Sequence, residues 1–303
     1  MIAFISIRYH SAGVAEVFTG FCRDEFEAYV IYSTLSKVPF IGSYYGEVLR
    51  RFAEEEYSHY KFFEGFGGCG GLRFVRVKAF LYVLLLTLFG VTFVVKLLER
   101  GESKAVAKYR LVSVNDPEII RRLEGFIKEE EVHERLLIEG IDEKKVRYLG
   151  SITLGISDSL VELTGIYAGS LGVFSNNLVA GLTGLIAGLS ASISMAIASY
   201  MQAKSEGVKN PKTAAVFTFI AYIAVAVLLS IPYLTLPSLT TAFAVMLIIA
   251  TTTTAYMTLY TSVINDRKFT MEFIETAALI FGVSTLLYIV GIFVREFLGI
   301  TVG

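Results

Sequence analysis

Two of the three histidines in this chain of 303 residues stand three positions after a glutamate. The two pairs are Glu56 with His59 and Glu130 with His133. Residues three apart on a helix project from the same face, so each pair presents one carboxylate and one imidazole to a common point. Carboxylate and imidazole groups are ligands of divalent transition metals such as iron, manganese and zinc. The repeated pattern therefore predicts a site that holds two metal ions.

A helical two-metal site of this kind takes one further glutamate from each of two additional helices. The chain offers Glu25 upstream of the first pair and Glu102 upstream of the second. Each is followed by a tyrosine seven positions later, Tyr32 or Tyr109. The spacing within each half leaves room for a helix, a loop and the start of a second helix. The halves therefore read as an internal repeat, and we expect two helical hairpins that face each other.

Neighbouring acidic residues leave the choice of these single glutamates open. Glu27 competes with Glu25, and Glu99 competes with Glu102; either neighbour is a second metal ligand or a solvated charge. One Glu-x-x-His pattern would be weak evidence in a chain with 28 acidic residues, but two patterns among three histidines are much stronger. The third histidine, His10, has no such company and is expected to be a surface or packing residue.

The sequence around both pairs is similar to that of a known family. Residues 53–63 (AEEEYSHYKFF) and 130–134 (EEVHE) resemble the second and fourth helices of rubrerythrin-like members of the ferritin-like superfamily. The resemblance covers roughly residues 10–147 and implies a four-helix bundle with a di-iron or di-manganese centre; zinc also suits these ligands. There is no rubredoxin-type set of cysteines. Cys22 and Cys69 are too few for a metal motif and are expected to be reduced in the cytosol.

Beyond Arg147 charges become sparse and long apolar segments follow. A bilayer core takes about 20 apolar residues in a helix. Five segments have that length: 151–174, 178–203, 212–234, 238–264 and 271–298. The sequence thus predicts an all-α protein in which a ferritin-like bundle (residues 1–147) precedes a five-span helical membrane domain (residues 148–303).

The placement of basic residues predicts the orientation of these spans. Basic residues precede the first span and occupy the turns after the second and the fourth: Lys144, Lys145, Arg147, Lys204, Lys209, Lys212, Arg267 and Lys268. The two other turns carry no charge. Positive loops face the cytoplasm, so we expect the bundle in the cytosol and the carboxyl terminus on the far side. No targeting segment is recognised at the amino terminus, which favours the plasma membrane of a prokaryote.

One further apolar segment, residues 79–95, complicates this count. If it crossed the bilayer, Glu25 and Glu56 would lie on one side and Glu102 and Glu130 on the other. A single metal site could not then form. We therefore expect the segment to be the first part of a long third helix that packs in the bundle, dips into the membrane surface or lies in a dimer interface. The alternative is a sixth membrane span.

Two carboxylates within the first span are costly for a membrane helix. Asp158 and Glu162 stand four apart on one helical face, and each ionised group costs about 2.5–3.5 kcal/mol on insertion scales. Such residues usually mark an ion pathway; the alternative is that they lie near the cytoplasmic interface and contact water. Met195 in the second span adds a soft sulfur ligand or is simply a packing residue. Glu272 and Glu275 open the fifth span and are placed at the cytoplasmic mouth.

Two motifs stand out in the predicted spans, residues 158–165 (DSLVELTG) and residues 194–200 (SMAIASY). Together with the five-span pattern, they resemble the vacuolar iron transporter family over roughly residues 148–300. The resemblance implies a dimer that exports Fe²⁺, and sometimes Mn²⁺, from the cytosol in exchange for protons. Asp158 and Met195 match the metal-conducting positions of that family. Two positions depart from its pattern, with Ser159 in place of glycine and Ser199 in place of glutamate.

These observations favour a metal exporter whose cytosolic di-iron domain captures, senses or oxidises iron. The alternative is a membrane-anchored di-iron oxidase or peroxidase, for which a single span would suffice as an anchor. The ligand types do not rank Fe²⁺ against Mn²⁺. A net charge of −1 and the lack of a basic run argue against nucleic-acid binding.

Overall fold

The computed structural model describes residues 11–69, 71–112, 114–141 and 143–298. His10 lies outside them. Every regular element in these ranges is helical, so the predicted all-α class is confirmed. The chain divides into two compact units between residues 142 and 143, which we call the amino-terminal and carboxyl-terminal units.

The amino-terminal unit contains four long helices: α1 (Ser11–Leu35), α2 (Ser43–Glu64), α3 (Val75–Leu111) and α4 (Pro117–Glu139). Helix α1 packs against α2 and α3, and α4 packs against α3 and α2. The start of α4 follows from its sequence: the Asp116 side chain accepts hydrogen bonds from the backbone N–H groups of Glu118 and Ile119, and Pro117 occupies the first helical turn. An aromatic cluster that includes Phe18, Phe63 and Phe126 fills one end of this unit.

Helix α3 is broken at Gly90, whose φ of 81° and ψ of 178° lie far from helical values. Lys78 Nζ, before the break, is 2.5 Å from Glu27 Oε2 on α1, and Lys108, after the break, pairs with Asp24 only three residues away. A straight helix would separate residues 78 and 108 by about 45 Å. The chain therefore folds back at Gly90, and both segments of α3 lie along α1.

The carboxyl-terminal unit contains α5 (Glu143–Val173), α6 (Asn177–Ser205), α7 (Pro211–Thr235), α8 (Leu239–Ile264) and α9 (Phe269–Leu298). Helix α5 packs against each of the other four. It approaches α9 very closely, since a Cβ at Gly172 would lie 2.7 Å from the backbone carbon of Gly291. The rings of Tyr167 and Tyr233 stack in the core with centroids 4.1 Å apart.

Five of the described helices are long and apolar enough to cross a membrane, which fits an integral membrane protein. They are α6, α7, α8, α9 and the helix over Leu72–Leu111. This set of five helices differs from the five spans predicted from the sequence in two ways. Helix α5 is not among them, because Asp158 and Glu162 lower its mean hydropathy. Helix α3 qualifies by composition, although the fold-back at Gly90 holds its apolar first segment against α1.

The two cysteines are paired in a disulfide, whose Cα atoms lie 5.3 Å apart. The structure thus pairs two cysteines that the sequence analysis treated as separate, reduced thiols. Cys22 lies on α1, and Cys69 lies in the glycine-rich loop between α2 and α3. The sequence separation of 47 residues concealed the pairing, because the α1–α2 hairpin brings the loop back beside α1.

Candidate metal centre

The amino-terminal unit brings together six of the sequence-predicted ligands in two overlapping groups. The first group joins Glu25 and His59 to two shared glutamates, and the second joins Glu102 and His133 to the same two, Glu56 and Glu130. Within each group the ligand atoms lie within 4.8 Å of one another. Each of the four helices supplies one glutamate, and α2 and α4 add the histidines. This is the ligand distribution of a centre with two metal positions bridged by two carboxylates.

The imidazole nitrogens face the carboxylates at short range. His59 Nδ1 lies 3.4 Å from Glu25 Oε2 and 3.3 Å from Glu130 Oε1. His133 Nδ1 lies 3.3 Å from Glu56 Oε1 and 3.2 Å from Glu130 Oε2. A cation between these atoms would be within reach of both an imidazole nitrogen and bridging oxygens.

Several of these atoms lack the hydrogen bonds that buried polar groups normally make. All six ligand side chains are buried. Within the described part of the chain, five of their atoms are buried without a hydrogen-bond partner: Glu25 Oε2, Glu56 Oε1, His59 Nδ1, Glu102 Oε1 and Glu130 Oε1. Leaving such groups unsatisfied costs free energy unless something else binds them. Two divalent cations would satisfy all five, so the residues present fit a di-metal group.

The second ring nitrogen of each histidine, Nε2, contacts a further carboxylate outside the two ligand groups. His59 Nε2 is 2.6 Å from Glu129 Oε2 on α4, and His133 Nε2 is 2.6 Å from Glu55 Oε2 on α2. A carboxylate that accepts from Nε2–H leaves the Nδ1 lone pair directed at the centre. Each histidine is thus oriented by the opposite hairpin. The sequence reasoning missed Glu55 and Glu129, although both directly precede a predicted ligand and so make the repeated pattern Glu-Glu-x-x-His.

Burial and mutual proximity shift the proton affinities of these groups. Burial raises the pKa of Glu25 well above its ordinary value, and the neighbouring Glu56 raises it further. For His133, burial alone would lower the pKa, but the neighbouring carboxylates of Glu130, Glu55 and Glu56 outweigh it and raise the pKa to about 12. The same balance raises the pKa of His59. Without metal, the centre therefore holds protons at neutral pH.

A cavity of about 220 Å³ reaches the buried centre from one side of the unit. Its lining includes the four ligand glutamates, together with Tyr32 and Tyr82. The hydroxyl of Tyr109 donates a hydrogen bond to Glu25. The cavity gives small ions and molecules a route to the ligands.

The structure distinguishes between the acidic neighbours that the sequence left open. Glu99 Oε2 lies 2.9 Å from Lys96 Nζ, and Glu99 belongs to neither ligand group. Glu27 pairs with Lys78 on α3. These glutamates take part in ion pairs around the centre, whereas Glu25 and Glu102 point into it.

In the carboxyl-terminal unit the predicted pathway residues are not all gathered at one point. Glu162 Oε2 accepts a hydrogen bond of 2.6 Å from the hydroxyl of Tyr222 on α7, a partner that the sequence did not indicate. Asp158 is half-buried one turn earlier on α5. Met195 is half-buried and packs against the apolar core of the unit, and Glu275 is exposed on α9.

A second thioether, which the sequence reasoning did not single out, lies beside α5. The Ser157 hydroxyl is 3.3 Å from the sulfur of Met257 on α8. Both residues line a cavity of about 360 Å³ that also includes Glu272 and Arg267. Of the two glutamates predicted at the opening of the fifth span, Glu272 lines this cavity. No protein-family model, curated protein or solved structure matches the chain.

Proposed function

We propose that the protein transports divalent metal ions, Fe²⁺ or Mn²⁺, out of the cytosol, and that its amino-terminal unit is a cytosolic ferritin-like domain that binds two such ions. The observation that carries this proposal is the pair of buried ligand groups sharing Glu56 and Glu130. Four carboxylates balance the charge of two divalent cations, and oxygen with imidazole nitrogen suits iron, manganese and zinc. The bound ions would supply redox or Lewis-acid chemistry to the unit.

The transport step is assigned to α5 and its neighbours. Helix α5 packs against all four other helices of its unit and carries Asp158 and Glu162. Intramembrane carboxylates are expensive and normally serve ion or proton pathways. Protonation of these groups on the far side would weaken metal binding and release the ion, which provides a basis for exchange against protons. Tyr222 holds Glu162 by its hydrogen bond and so orients one carboxylate of the pathway.

The test is Fe²⁺ flux into sealed proteoliposomes under an imposed pH gradient. We expect flux from the intact chain and none from the Asp158→Asn variant. The matched control is Glu296→Gln, which removes a carboxylate that pairs with Arg295 near the end of α9. The Asp158→Asn variant must still bind two ions in the amino-terminal unit. Equal flux from both variants would remove Asp158 from the pathway.

The cavity beside the centre supports a second candidate, a membrane-anchored di-iron oxidase or peroxidase. The cavity is large enough to admit dioxygen or peroxide to the buried glutamates. Stopped-flow absorbance of the intact protein after addition of Fe²⁺ with dioxygen or peroxide distinguishes the two functions. Catalytic turnover without any flux in proteoliposomes would favour the enzyme; flux without turnover would favour the transporter.

A further inference from the structure

The first segment of α3, residues 75–89, has two apolar faces. Val75, Ala79 and Leu86 are at most 2% exposed and pack toward the rest of the amino-terminal unit. The opposite side, which we call the outer face, consists of large side chains that are 42–67% exposed: Phe74, Val77, Phe80, Leu81, Leu84 and Leu88. Their spacing of three and four residues aligns them along one side of the helix. Water-exposed surfaces rarely carry a contiguous apolar stripe of this kind.

The charged residues next to this stripe along the chain are all basic. Arg73, Arg76 and Lys78 are exposed near its amino-terminal end. The sequence contains no aspartate or glutamate between Glu64 and Glu99. An apolar helical face bordered by basic side chains is typical of helices that lie in the interface of an anionic bilayer.

The fold-back at Gly90 excludes a transmembrane path for this segment. Its fifteen residues would extend about 22 Å as a helix, which is shorter than the hydrocarbon core of about 30 Å. The segment also carries Lys78, which pairs with Glu27 on α1, and Tyr82, which lines the cavity of the metal centre. It can meet a bilayer only with its outer face, lying parallel to the surface.

We propose that the outer face of α3 binds an anionic phospholipid surface. The apolar side chains enter the acyl boundary, and Arg73 and Arg76 contact the headgroup phosphates. Charge complementarity selects lipid over a second copy of the chain, since a second copy would bring the same basic side chains to the contact. This proposal does not depend on the identity of the metal or on transport.

The chain has no tryptophan, which allows a direct test. Phe80→Trp and Leu84→Trp each place a single fluorophore on the outer face, and Tyr57→Trp places one at a position of α2 that is 42% exposed. Each full-length variant is reconstituted into vesicles with and without brominated phosphatidylglycerol. We expect loss of emission in brominated lipid for the two α3 variants and unchanged emission for the control. Adding Arg73→Glu with Arg76→Glu should restore part of the lost emission.

Two results would overturn the proposal. The first is emission from both α3 variants that is the same in brominated and plain lipid, including the blue-shifted, concentration-dependent emission expected if a second copy covers the face. The second is equal quenching of the α3 variants and the Tyr57→Trp control. Unchanged helix content and a metal content of two ions show that each variant is folded.

Discussion

At the scale of single residues, Glu56 and Glu130 differ from the other ligands because each belongs to both metal positions. We expect Glu56→Ala to abolish binding at both positions, whereas Glu102→Ala should affect mainly one. Glu99→Ala should leave two ions bound, since Glu99 pairs with Lys96 and lies in neither group. Metal content after dialysis, measured by mass spectrometry, checks all three variants. Two ions retained by Glu56→Ala would contradict the bridged arrangement.

The protons held by the metal-free centre predict how its affinity depends on pH. Burial raises the pKa values of Glu25 and Glu102, and neighbouring carboxylates raise those of His59 and His133, so the metal-free centre holds protons more tightly than these groups do in water. Each must lose its proton before it can coordinate a cation. Binding of metal should therefore release protons, and affinity should fall as the pH is lowered.

Calorimetric titration in buffers of different ionisation enthalpy measures this release. The control is Glu131→Gln, which removes an exposed carboxylate that pairs with Arg110 and should leave the proton count unchanged. Binding without proton release at pH 7 would show that the metal-free ligands are already deprotonated.

At the scale of the helices, Gly90 determines the course of α3. Its backbone conformation, with φ of 81° and ψ of 178°, is essentially restricted to glycine. Gly90→Ala should lower the free energy of unfolding of the amino-terminal unit by about 1–3 kcal/mol. Gly101→Ala is the matched control, because Gly101 lies in the helical part of α3 with open space around it, and alanine there should be neutral or stabilising. The melting temperatures of both variants test this prediction, and equal values would contradict the fold-back.

The sequence was informative about α2 and α4 and much less so about α3. Glu56, His59, Glu130 and His133 could be chosen because the three-residue spacing places each pair on one helical face. Glu55 and Glu129 each contact a histidine of the other hairpin, and spacing along the chain does not predict contacts between hairpins. Likewise, a single glycine in an apolar segment, such as Gly90, does not reveal that the chain reverses its direction there.

Length and composition also leave open which helices cross the membrane. Helix α5 was chosen from its length and position, but its two carboxylates keep its mean hydropathy below that of its neighbours. The apolar first segment of α3 owes its place to contacts that lie far apart in sequence, such as those of Lys78 and Lys108 with α1.

At the scale of the whole molecule, metal should change the thermal unfolding of the amino-terminal unit. All six ligands of the centre belong to the amino-terminal unit, so ions bound there stabilise that unit. An ion at a concentration one hundred times its dissociation constant adds about 2.7 kcal/mol. Calorimetry of the detergent-solubilised protein should show a transition of the amino-terminal unit that moves upward with metal and falls back with a chelator. In Glu56→Ala, that transition should not move.

The reversal at Gly90 also bears on how the chain is synthesised. Residues 75–95 leave the ribosome before Glu102, Glu130 and His133 exist, and their composition is that of a membrane span. Insertion into the membrane at that moment would place Glu102, Glu130 and His133 on the opposite side of the bilayer from the ligands of α1 and α2. The metal centre could not then assemble. Helix α1 is made first, however, so the surface that contacts Lys78 is available when the apolar segment emerges. Nascent-chain docking thus competes with membrane insertion, and the order of the helices in the gene favours docking.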